Sequence, residues 1–379
     1  MLSKNFVFAL GVLIGTTIGA GLFGIPYVIS KSGFLPGFFY FLILGGIALL
    51  LHLFFGEIVL RTKENHRLIG YAQKYLGQKA KILVSISTIL GMTGSLLAYL
   101  IISGDFLKII FWFSGISSFY FSLIFWAILS FFVFRGIKLI APAEFLMNVF
   151  FFCIIIIVFF FAVPKVDPQN FSLFNLEHIF LPYGVILFSL AGWIAIPEIR
   201  EILKNHQEAK NYKKVIIYST VIATVLYLLF ALVVVGVSGK STSPEALQGL
   251  VPFLGKKIVI LGALFGVLSV ATSFLVLGNY LKNALIYDYN CPKGLAVFIS
   301  CGLPLTLFLV GFRKFIDVIG FVGTLLGIVE GIMIILIFKR AKILGDRKPE
   351  YSLEIPLVLL YFLIALFILG AVSQIYEAI

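Results

Sequence analysis

The first apolar stretch of the chain contains, at residues 15–26, the run G-T-T-I-G-A-G-L-F-G-I-P. Four glycines and a proline therefore fall near the middle of a segment that is long enough to cross a lipid bilayer. Each glycine costs about 1 kcal/mol of helix stability relative to alanine, and proline removes a backbone donor. Unpaired peptide groups at this depth are tolerated only where they line a cavity or meet a ligand. The run predicts an interrupted membrane helix beside a binding site.

The rest of the chain has the composition of a membrane protein. Of its 379 residues, 61% are hydrophobic and 12% are charged, and the mean hydropathy is +1.11, which excludes a soluble enzyme. The apolar runs do not alternate polar and apolar residues, so we expect helices rather than barrel strands. At about 20 residues per span, the chain accommodates eleven transmembrane helices. We place them at residues 6–29, 34–60, 82–107, 118–138, 141–163, 178–203, 214–238, 256–286, 292–312, 315–338 and 354–376.

The basic residues predict the orientation of this topology. Most of the 29 Lys and Arg residues fall on one side of the eleven predicted spans, and the positive-inside rule makes that side cytoplasmic. The N-terminus is then cytoplasmic and the C-terminus outside. The net charge of +12 does not indicate a nucleic acid partner, because the basic residues form no stripe with exposed aromatics. The basic loop at 61–81 is compatible either with an amphipathic helix on the inner membrane surface or with a solvated connector.

The run at residues 20–26 has a counterpart later in the chain. Residues 20–26 and 191–197 both read A-G-x-x-x-I-P, 171 positions apart, while G-D-F-L-K at 104–108 and G-N-Y-L-K at 278–282 are 174 positions apart. Two matches at nearly one spacing favour duplication over chance similarity. Because five helices separate the copies, the second half would cross the membrane in the opposite sense. We expect a first five-helix repeat at 1–163, an inverted second repeat at 164–340, and an eleventh helix within 341–379.

The two breaks together predict a site for a zwitterion. The half-helix after the first break should begin near Phe23, with Pro26 in its first turn, and its free N–H groups suit a carboxylate. Open carbonyls at residues 189–193 suit an ammonium group. The alternative is that these glycines merely allow close helix packing. We favour the site, because packing does not require a proline at the same place in both segments.

Three segments resemble a known family. They are residues 15–26, F-S-L-A-G-W-I-A-I-P at 188–197, and A-T-S-F-L at 271–275. They resemble the amino acid/polyamine/organocation transporter superfamily, in particular its amino acid/auxin permease and hydroxy/aromatic amino acid permease branches. The resemblance implies an all-α polytopic membrane protein with the five-plus-five inverted repeat of the bacterial leucine transporter, in which helices 1 and 6 are unwound around the substrate. It also implies uptake of an amino acid together with an ion.

The resemblance also implies which residues bind the substrate. Its carboxylate would contact the backbone at residues 19–21, and its amino group the backbone at 189–191. Tyr99 would donate to the carboxylate, or else cap a neighbouring carbonyl. Trp193 would close over the substrate as a gate, or else anchor packing. The full implied set is Thr17, Gly19, Ala20, Gly21, Tyr99, Ser189, Leu190, Ala191 and Trp193.

Two sites for the coupling ion remain open at this point. The resemblance implies an all-oxygen Na⁺ site, although Thr and Ser hydroxyls in membrane helices also bond their own backbone. Glu330 lies far from both ends of its predicted span, and a membrane-embedded carboxyl group is a functional candidate. It would carry a proton inward, or else make a structural hydrogen bond in a gap beside Gly327 and Gly331, or pair with a cationic substrate side chain. The Na⁺ ligands would come from Gly15, Ile18, Thr272 and Ser273.

These observations predict a secondary active transporter. It would import a neutral L-amino acid, with an aromatic one as a candidate, by cation-coupled symport and alternating access. We expect Na⁺ or H⁺ as the coupling ion, no cofactor and no metal centre, since the three cysteines lack metal-ligand spacing. The short loops and lack of organelle signals favour a prokaryotic inner membrane. The alternatives are a membrane-embedded transferase and a non-transporting amino acid receptor on the same fold. Oligomeric state, transport direction and organism stay undetermined by the sequence.

Overall fold

The computed structural model describes residues 4–135, 156–203 and 206–378, and every regular element within these ranges is helical. Nine helices in the described ranges are long and apolar enough to cross a membrane, or ten when one bent pair counts as a single span. The prediction of an all-α polytopic membrane protein is therefore confirmed. The predicted fifth span at 141–163 lies mostly outside the described residues, which include only its end in α7 (Ile156–Lys165).

The helices follow the apolar runs closely, because a backbone within a bilayer must satisfy its hydrogen bonds internally. The bent pair is α1 (Lys4–Thr17) and α2 (Gly21–Ser32). The continuous spans are α3 (Phe34–Arg61), α5 (Gln78–Ile110), α6 (Ser118–Arg135), α11 (Tyr212–Ser238), α13 (Lys256–Tyr289) and α18 (Leu357–Ala378). The composite spans are α8 (Pro182–Leu190) with α9 (Ile196–Ile202), α14 (Lys293–Val297) with α15 (Leu303–Val310), and α16 (Phe315–Leu326) with α17 (Ile332–Leu344). The short helices are α4 (Leu68–Leu76), α10 (His206–Ala209) and α12 (Val251–Leu254).

The first span is interrupted at residues 18–20, where α1 and α2 meet at an angle of 53°. The amides of Leu22 and Phe23 donate to the carbonyls of Gly19 and Ala20, each over 3.1 Å. These bonds start α2 at Gly21, so the expected start near Phe23 was two residues too late. Pro26 is consequently the sixth residue of α2 and does not lie in its first turn, as the sequence had suggested.

A second interruption separates α8 from α9. Ala191 leaves helical geometry with φ −74° and ψ 57°, and a single 3₁₀ turn over Gly192–Ala195 leads into α9. Pro197 lies in the first turn of α9, where a missing N–H costs little. Both A-G-x-x-x-I-P segments thus lie at interruptions of their spans.

The two interruptions pack directly against each other. A Cβ atom on Gly21 would overlap the Ser189 hydroxyl and lie 2.9 Å from the Ser189 Cα, and a Cβ atom on Gly192 would overlap the Thr17 hydroxyl. Only glycine allows this approach. The glycines therefore serve close packing, the alternative reading of the sequence, at the same place where the helices are broken.

The loop at 61–81 contains α4, which packs on α5 and α17 with its Leu68, Tyr71, Ala72 and Tyr75 side chains buried. The apolar side of α4 thus faces the protein, which excludes a solvated connector. Residues 345–356, between α17 and α18, run along the same end of the molecule and are called the strap below. The Glu57 carboxylate, paired with Arg61 over 2.8 Å, accepts from the Leu353 amide of the strap over 2.7 Å.

Candidate functional site

A cavity of about 130 Å³ lies between the two interruptions. Because one water molecule needs about 10–15 Å³ on this measure, the cavity has room for a solute the size of an amino acid. Its wall includes most of the predicted substrate-binding residues, namely Thr17, Gly19, Ala20, Gly21, Tyr99, Ser189, Ala191 and Trp193. Leu190 is fully buried and is not part of the wall, whereas Glu330 is.

The first interruption supplies backbone donors to this cavity. Within the described part of the chain, the amides of Gly19, Ala20 and Gly21 have no backbone acceptor, and the Gly19 amide approaches the Tyr227 hydroxyl. They lie at the N-terminus of α2, where the helix dipole is positive, and this combination favours an anion. The Tyr99 hydroxyl lies 3.7 Å from the position that a Cβ atom on Gly19 would take, and it also bonds the Ser273 hydroxyl. A carboxylate in the cavity would therefore meet several donors at once.

The second interruption has fewer carbonyls without a donor, because the Tyr227 hydroxyl of α11 contacts a carbonyl at each of the two breaks. This buried hydroxyl donates to the Thr17 carbonyl over 2.6 Å and lies 3.1 Å from the Ser189 carbonyl oxygen. The sequence analysis did not single out Tyr227. The available signal was a tyrosine inside an apolar span, since a buried phenol usually finds an acceptor.

Trp193 and Glu330 are hydrogen-bonded to each other in the cavity wall. The Trp193 indole Nε1 donates to the Glu330 Oε2 over 2.7 Å, and the Thr88 hydroxyl donates to the Oε1 over 2.8 Å. Glu330 is buried within a π turn at Gly327–Gly331. The space beside these two glycines is filled by Leu187 and Phe367. Thr88 was missed by the sequence analysis, since nothing in the order of residues shows which hydroxyl of α5 faces this turn.

The residues of the predicted Na⁺ site lie outside the cavity wall. The Thr272 hydroxyl donates to the Ser269 carbonyl over 2.9 Å, which is the local bond expected for a hydroxyl in a membrane helix. The Ser273 hydroxyl is bonded to Tyr99. Gly15 lies in the last turn of α1, and Ile18 follows that helix directly. The Na⁺ site therefore stays a prediction.

His52 of α3 lies behind the interruptions. Its Nδ1 is 2.8 Å from the Thr220 hydroxyl and its ring centroid is 6.3 Å from that of Trp193. Its Nε2 has no hydrogen-bond partner among the described residues. The Nδ1 atom of His52 thus makes a structural hydrogen bond, as expected of a lone buried histidine.

The cavity is asymmetric along the molecule. At one end it reaches Arg67, Leu68 and Ile69 at the start of α4, where the Arg67 Nη2 lies 3.4 Å from the Glu198 Oε1. At the other end, beyond Tyr99 along α5, four phenylalanine rings close together. The Phe23 ring centroid lies 4.7 Å from that of Phe106, 6.1 Å from that of Phe230 and 6.5 Å from that of Phe265.

A multi-pass helical protein whose solute-sized cavity is bounded by two interrupted spans has the architecture of a membrane transport protein. The chain belongs to the transmembrane amino acid transporter family, whose family model matches residues 4–379. This confirms the family-level expectation from the sequence. Because the family and the relatives below are transporters, the chain is a transporter and not a membrane-embedded transferase.

Two curated bacterial relatives match most of the chain. It is 22% identical to glutamine transporter 2 of Aliivibrio fischeri over 89% of its own length and 88% of the relative. It is 25% identical to the tyrosine-specific transport system 2 of Haemophilus influenzae over 91% of its own length and 90% of the relative. Among solved structures, MhsT in complex with L-phenylalanine has the same fold, with a TM-score of 0.64 and 14% identity over 99% of this chain and 98% of that one.

Proposed function

We propose that this transporter takes up a neutral L-amino acid, with an aromatic one as a candidate, by cation-coupled symport and alternating access. The observation that carries the proposal is the cavity between two interrupted spans, whose wall includes residues 19–21 at the start of α2, where the amides of Ala20 and Gly21 have no backbone acceptor among the described residues. Free donors at a helix N-terminus match the carboxylate that all amino acids share.

In the proposed complex, the carboxylate contacts the amides of residues 19–21 and the Tyr99 hydroxyl. The ammonium group meets the backbone carbonyls at 189–191, and Thr17 and Trp193 flank the substrate. The substrate side chain extends towards the apolar part of the wall. That part consists of Met92, Phe188, Ile194, Leu277 and Leu326.

A neutral side chain fits the charges around the cavity. Arg67 is paired with Glu198, and both carboxylate oxygens of Glu330 already accept hydrogen bonds. Neither group is left as a counter-ion for a charged substrate side chain. The names of the relatives support this class, since glutamine, tyrosine and phenylalanine are all neutral.

We further propose eleven spans in an inverted five-plus-five repeat, with spans 1 and 6 unwound, the repeats at 1–163 and 164–340, and the last helix within 341–379. The placement of both A-G-x-x-x-I-P segments at interruptions supports it, as does the fold shared with MhsT. The N-terminus is cytoplasmic and the C-terminus outside, in a prokaryotic inner membrane. In that orientation the cavity reaches the cytoplasmic end at Arg67 while the phenylalanines close the outer end, as in the inward-open state of an alternating-access cycle.

The coupling ion is Na⁺ or H⁺. Sodium would bind the oxygens of Gly15, Ile18, Thr272 and Ser273, and a proton would bind Glu330. Uptake by purified protein in proteoliposomes, driven by a Na⁺ gradient or a pH gradient imposed separately, distinguishes the two ions.

Gly19→Ala tests the substrate site directly. Its methyl group would lie 3.7 Å from the Tyr99 hydroxyl, so the empty protein tolerates it, but it occupies the place of the carboxylate. We expect the apparent affinity for amino acids to fall about tenfold, the equivalent of one hydrogen bond to a charged group at roughly 1.5 kcal/mol.

Gly46→Ala is the matched control, because a Cβ atom there meets no atom within 4 Å and Gly46 lies outside the cavity wall. Counterflow of labelled phenylalanine, tyrosine and glutamine, with lysine and glutamate for comparison, gives the readout. No exchange of any amino acid would contradict the proposal, and binding without exchange would indicate the receptor alternative.

A further inference from the structure

Glu330 connects three separate parts of the molecule. Its carboxylate lies in the π turn between α16 and α17, and its two oxygens accept from Thr88 of α5 over 2.8 Å and from Trp193 over 2.7 Å. Trp193 belongs to the 3₁₀ turn of the second interruption. The charge on one carboxyl group is therefore in direct contact with the segment that would have to move during transport.

The two donors respond differently to a proton on Glu330. An indole N–H can only donate, whereas a threonine hydroxyl can donate or accept. When Glu330 is ionised, both bonds are charge-assisted, and such bonds are about twice as strong as neutral ones. When Glu330 is protonated, the Thr88 hydroxyl can turn and accept, but the Trp193 bond loses its charge assistance. Protonation therefore weakens the contact that holds the second interruption.

Among the described residues, no cationic side chain is paired with Glu330. Phe367 and Leu187 fill the space behind the π turn, and the only polar partners of the carboxylate among the described residues are Thr88 and Trp193. An ionised glutamate without a cation inside a membrane protein is costly. A proton that arrives through the cavity is the simplest way to neutralise it.

Two ionisable side chains lie near Trp193. The His52 ring centroid is 6.3 Å from that of Trp193, and Glu198 of α9, five residues further along the chain, is paired with Arg67. Along α5, the ionisable residue nearest to Thr88 is Lys81, seven residues or about 10 Å away. The helices that pack on the π turn carry Lys79, Lys81, Tyr99, Asp105 and Lys108 on α5, Tyr183 on α8, Asp317 on α16, Lys339, Arg340 and Lys342 on α17, and Tyr361 on α18. The ionisable residues in the cavity wall besides Glu330 are Arg67, Tyr99 and Tyr280.

The geometry points to Glu330 as the binding site of the coupling proton and to Trp193 as the positioning residue through which its charge acts on the second interruption. This inference rests on the proposed transport function and selects H⁺ over Na⁺. When Glu330 is ionised, it holds Trp193 to the π turn. When Glu330 is protonated, Trp193 is released more easily, so the second interruption can move with the substrate bound.

The pH profile of uptake tests this assignment. Trp193→Phe keeps an aromatic ring but removes one donor to the carboxylate, which makes Glu330 easier to protonate. We expect the midpoint at which proton-driven uptake declines to move upward by about one pH unit, the equivalent of one hydrogen bond to a charged group. Thr88→Val should shift the midpoint in the same direction, and Thr88→Ser should restore it.

Matched controls remove the same kind of donor elsewhere. Trp126→Phe removes an indole bond to the Cys301 carbonyl, and Thr306→Val removes a hydroxyl bond to the Gly302 carbonyl. Both lie outside the cavity wall, and neither should move the midpoint. A purely structural role for Trp193 predicts a lower rate with the same midpoint, which would overturn the inference.

Glu330→Gln imitates the protonated form permanently. Under a pH gradient this variant should lose accumulation of the amino acid, and any exchange that it retains should be independent of pH. Accumulation equal to that of the unaltered protein, or uptake driven by Na⁺ alone, would overturn the inference while leaving the proposed function intact. Absence of amino acid exchange by the unaltered protein would instead remove the proposed function itself.

Discussion

The two interrupted spans use their freed peptide groups in different ways. At the first interruption, residues 18–20 separate two helices at 53°, and the amides of residues 19–21 have no backbone acceptor within the described chain. At the second, a 3₁₀ turn follows Ala191, and side chains from other helices hold the segment through Trp193 and the Ser189 carbonyl. Tyr227 holds both breaks, but the first leaves amides open to the cavity as a binding surface, whereas the second is also tethered through Trp193 to Glu330.

The two interruptions therefore have different roles. The first binds the ligand, and the second controls the movement of its own segment. Backbone donors cannot change their charge, so recognition of a carboxylate by the first interruption does not depend on the protonation of a side chain. The tethers of the second interruption are side-chain bonds, and one of them ends on an ionisable group. Sequence duplication therefore does not imply equal roles, since the environments of the two copies differ.

The largest effect should come from filling the contact between the breaks. Gly21→Ala places a methyl group against the Ser189 hydroxyl, 2.8 Å from its Cβ and 2.9 Å from its Cα. The Ser189 backbone cannot rotate away from this methyl group, so α2 must move away from α8. We expect the protein to be destabilised by up to about 3 kcal/mol and uptake to be lost. Gly192→Ala meets mainly the Thr17 hydroxyl, and the Thr17 Cβ is 3.2 Å away, so it should cost less.

Thermal unfolding in detergent and uptake in proteoliposomes measure both variants. Gly11→Ala in α1 is the control, because a Cβ atom there meets no atom within 4 Å, and it should raise helix stability by up to about 1 kcal/mol. Equal destabilisation by Gly21→Ala and Gly192→Ala would show that the two breaks are equally tight, against the comparison above.

Tyr227→Phe should have an intermediate effect. It removes the hydroxyl that donates to the Thr17 carbonyl and approaches the Ser189 carbonyl, which leaves buried acceptors without a donor at a cost of about 1–2 kcal/mol. Tyr183→Phe is the matched control, since its buried hydroxyl has no partner among the described residues. It should be close to neutral in thermal unfolding. If both variants behave alike, the bond across the breaks contributes nothing.

The sequence predicted the spans well because hydropathy and length depend on residues along one helix. The predicted second span at 34–60 and the observed Phe34–Arg61 differ by one residue. The positions of the interruptions also coincide with the Gly and Pro clusters, since those residues weaken a helix wherever they occur. Tyr227 and Thr88 were missed for a different reason. Their roles depend on which faces of distant helices meet, and periodicity within a single apolar span does not show that.

The smallest predicted effect concerns the strap, which contacts α3, α4 and, after the second interruption, α9. The Asp346 carboxylate lies 2.7 Å from the Lys74 ammonium on α4, and Glu350 of the strap lies 3.9 Å from Arg200 on α9, directly after the second break. The hydrogen bond from Lys74 lowers the pKa of Asp346 below its usual 3.8, and the same contact raises the pKa of Lys74. The contact therefore contributes stability above the ordinary aspartate pKa, which is lost as the pH falls through the lowered value.

Asp346→Asn should remove this contribution at neutral pH. The Lys74 and Asp346 side chains are 26% and 34% exposed, so screening by solvent limits the loss to about 0.2–1 kcal/mol, and 1 M salt should reduce it further. Asp317→Asn, which breaks an exposed pair with Lys314 at 3.7 Å, is the control. Amide hydrogen exchange should increase in α9 more than in α1, because Glu350 of the strap contacts Arg200 of α9. An equal increase in both helices would mean that the two interruptions share one support, and the distinction between an open surface and a tethered joint would fail.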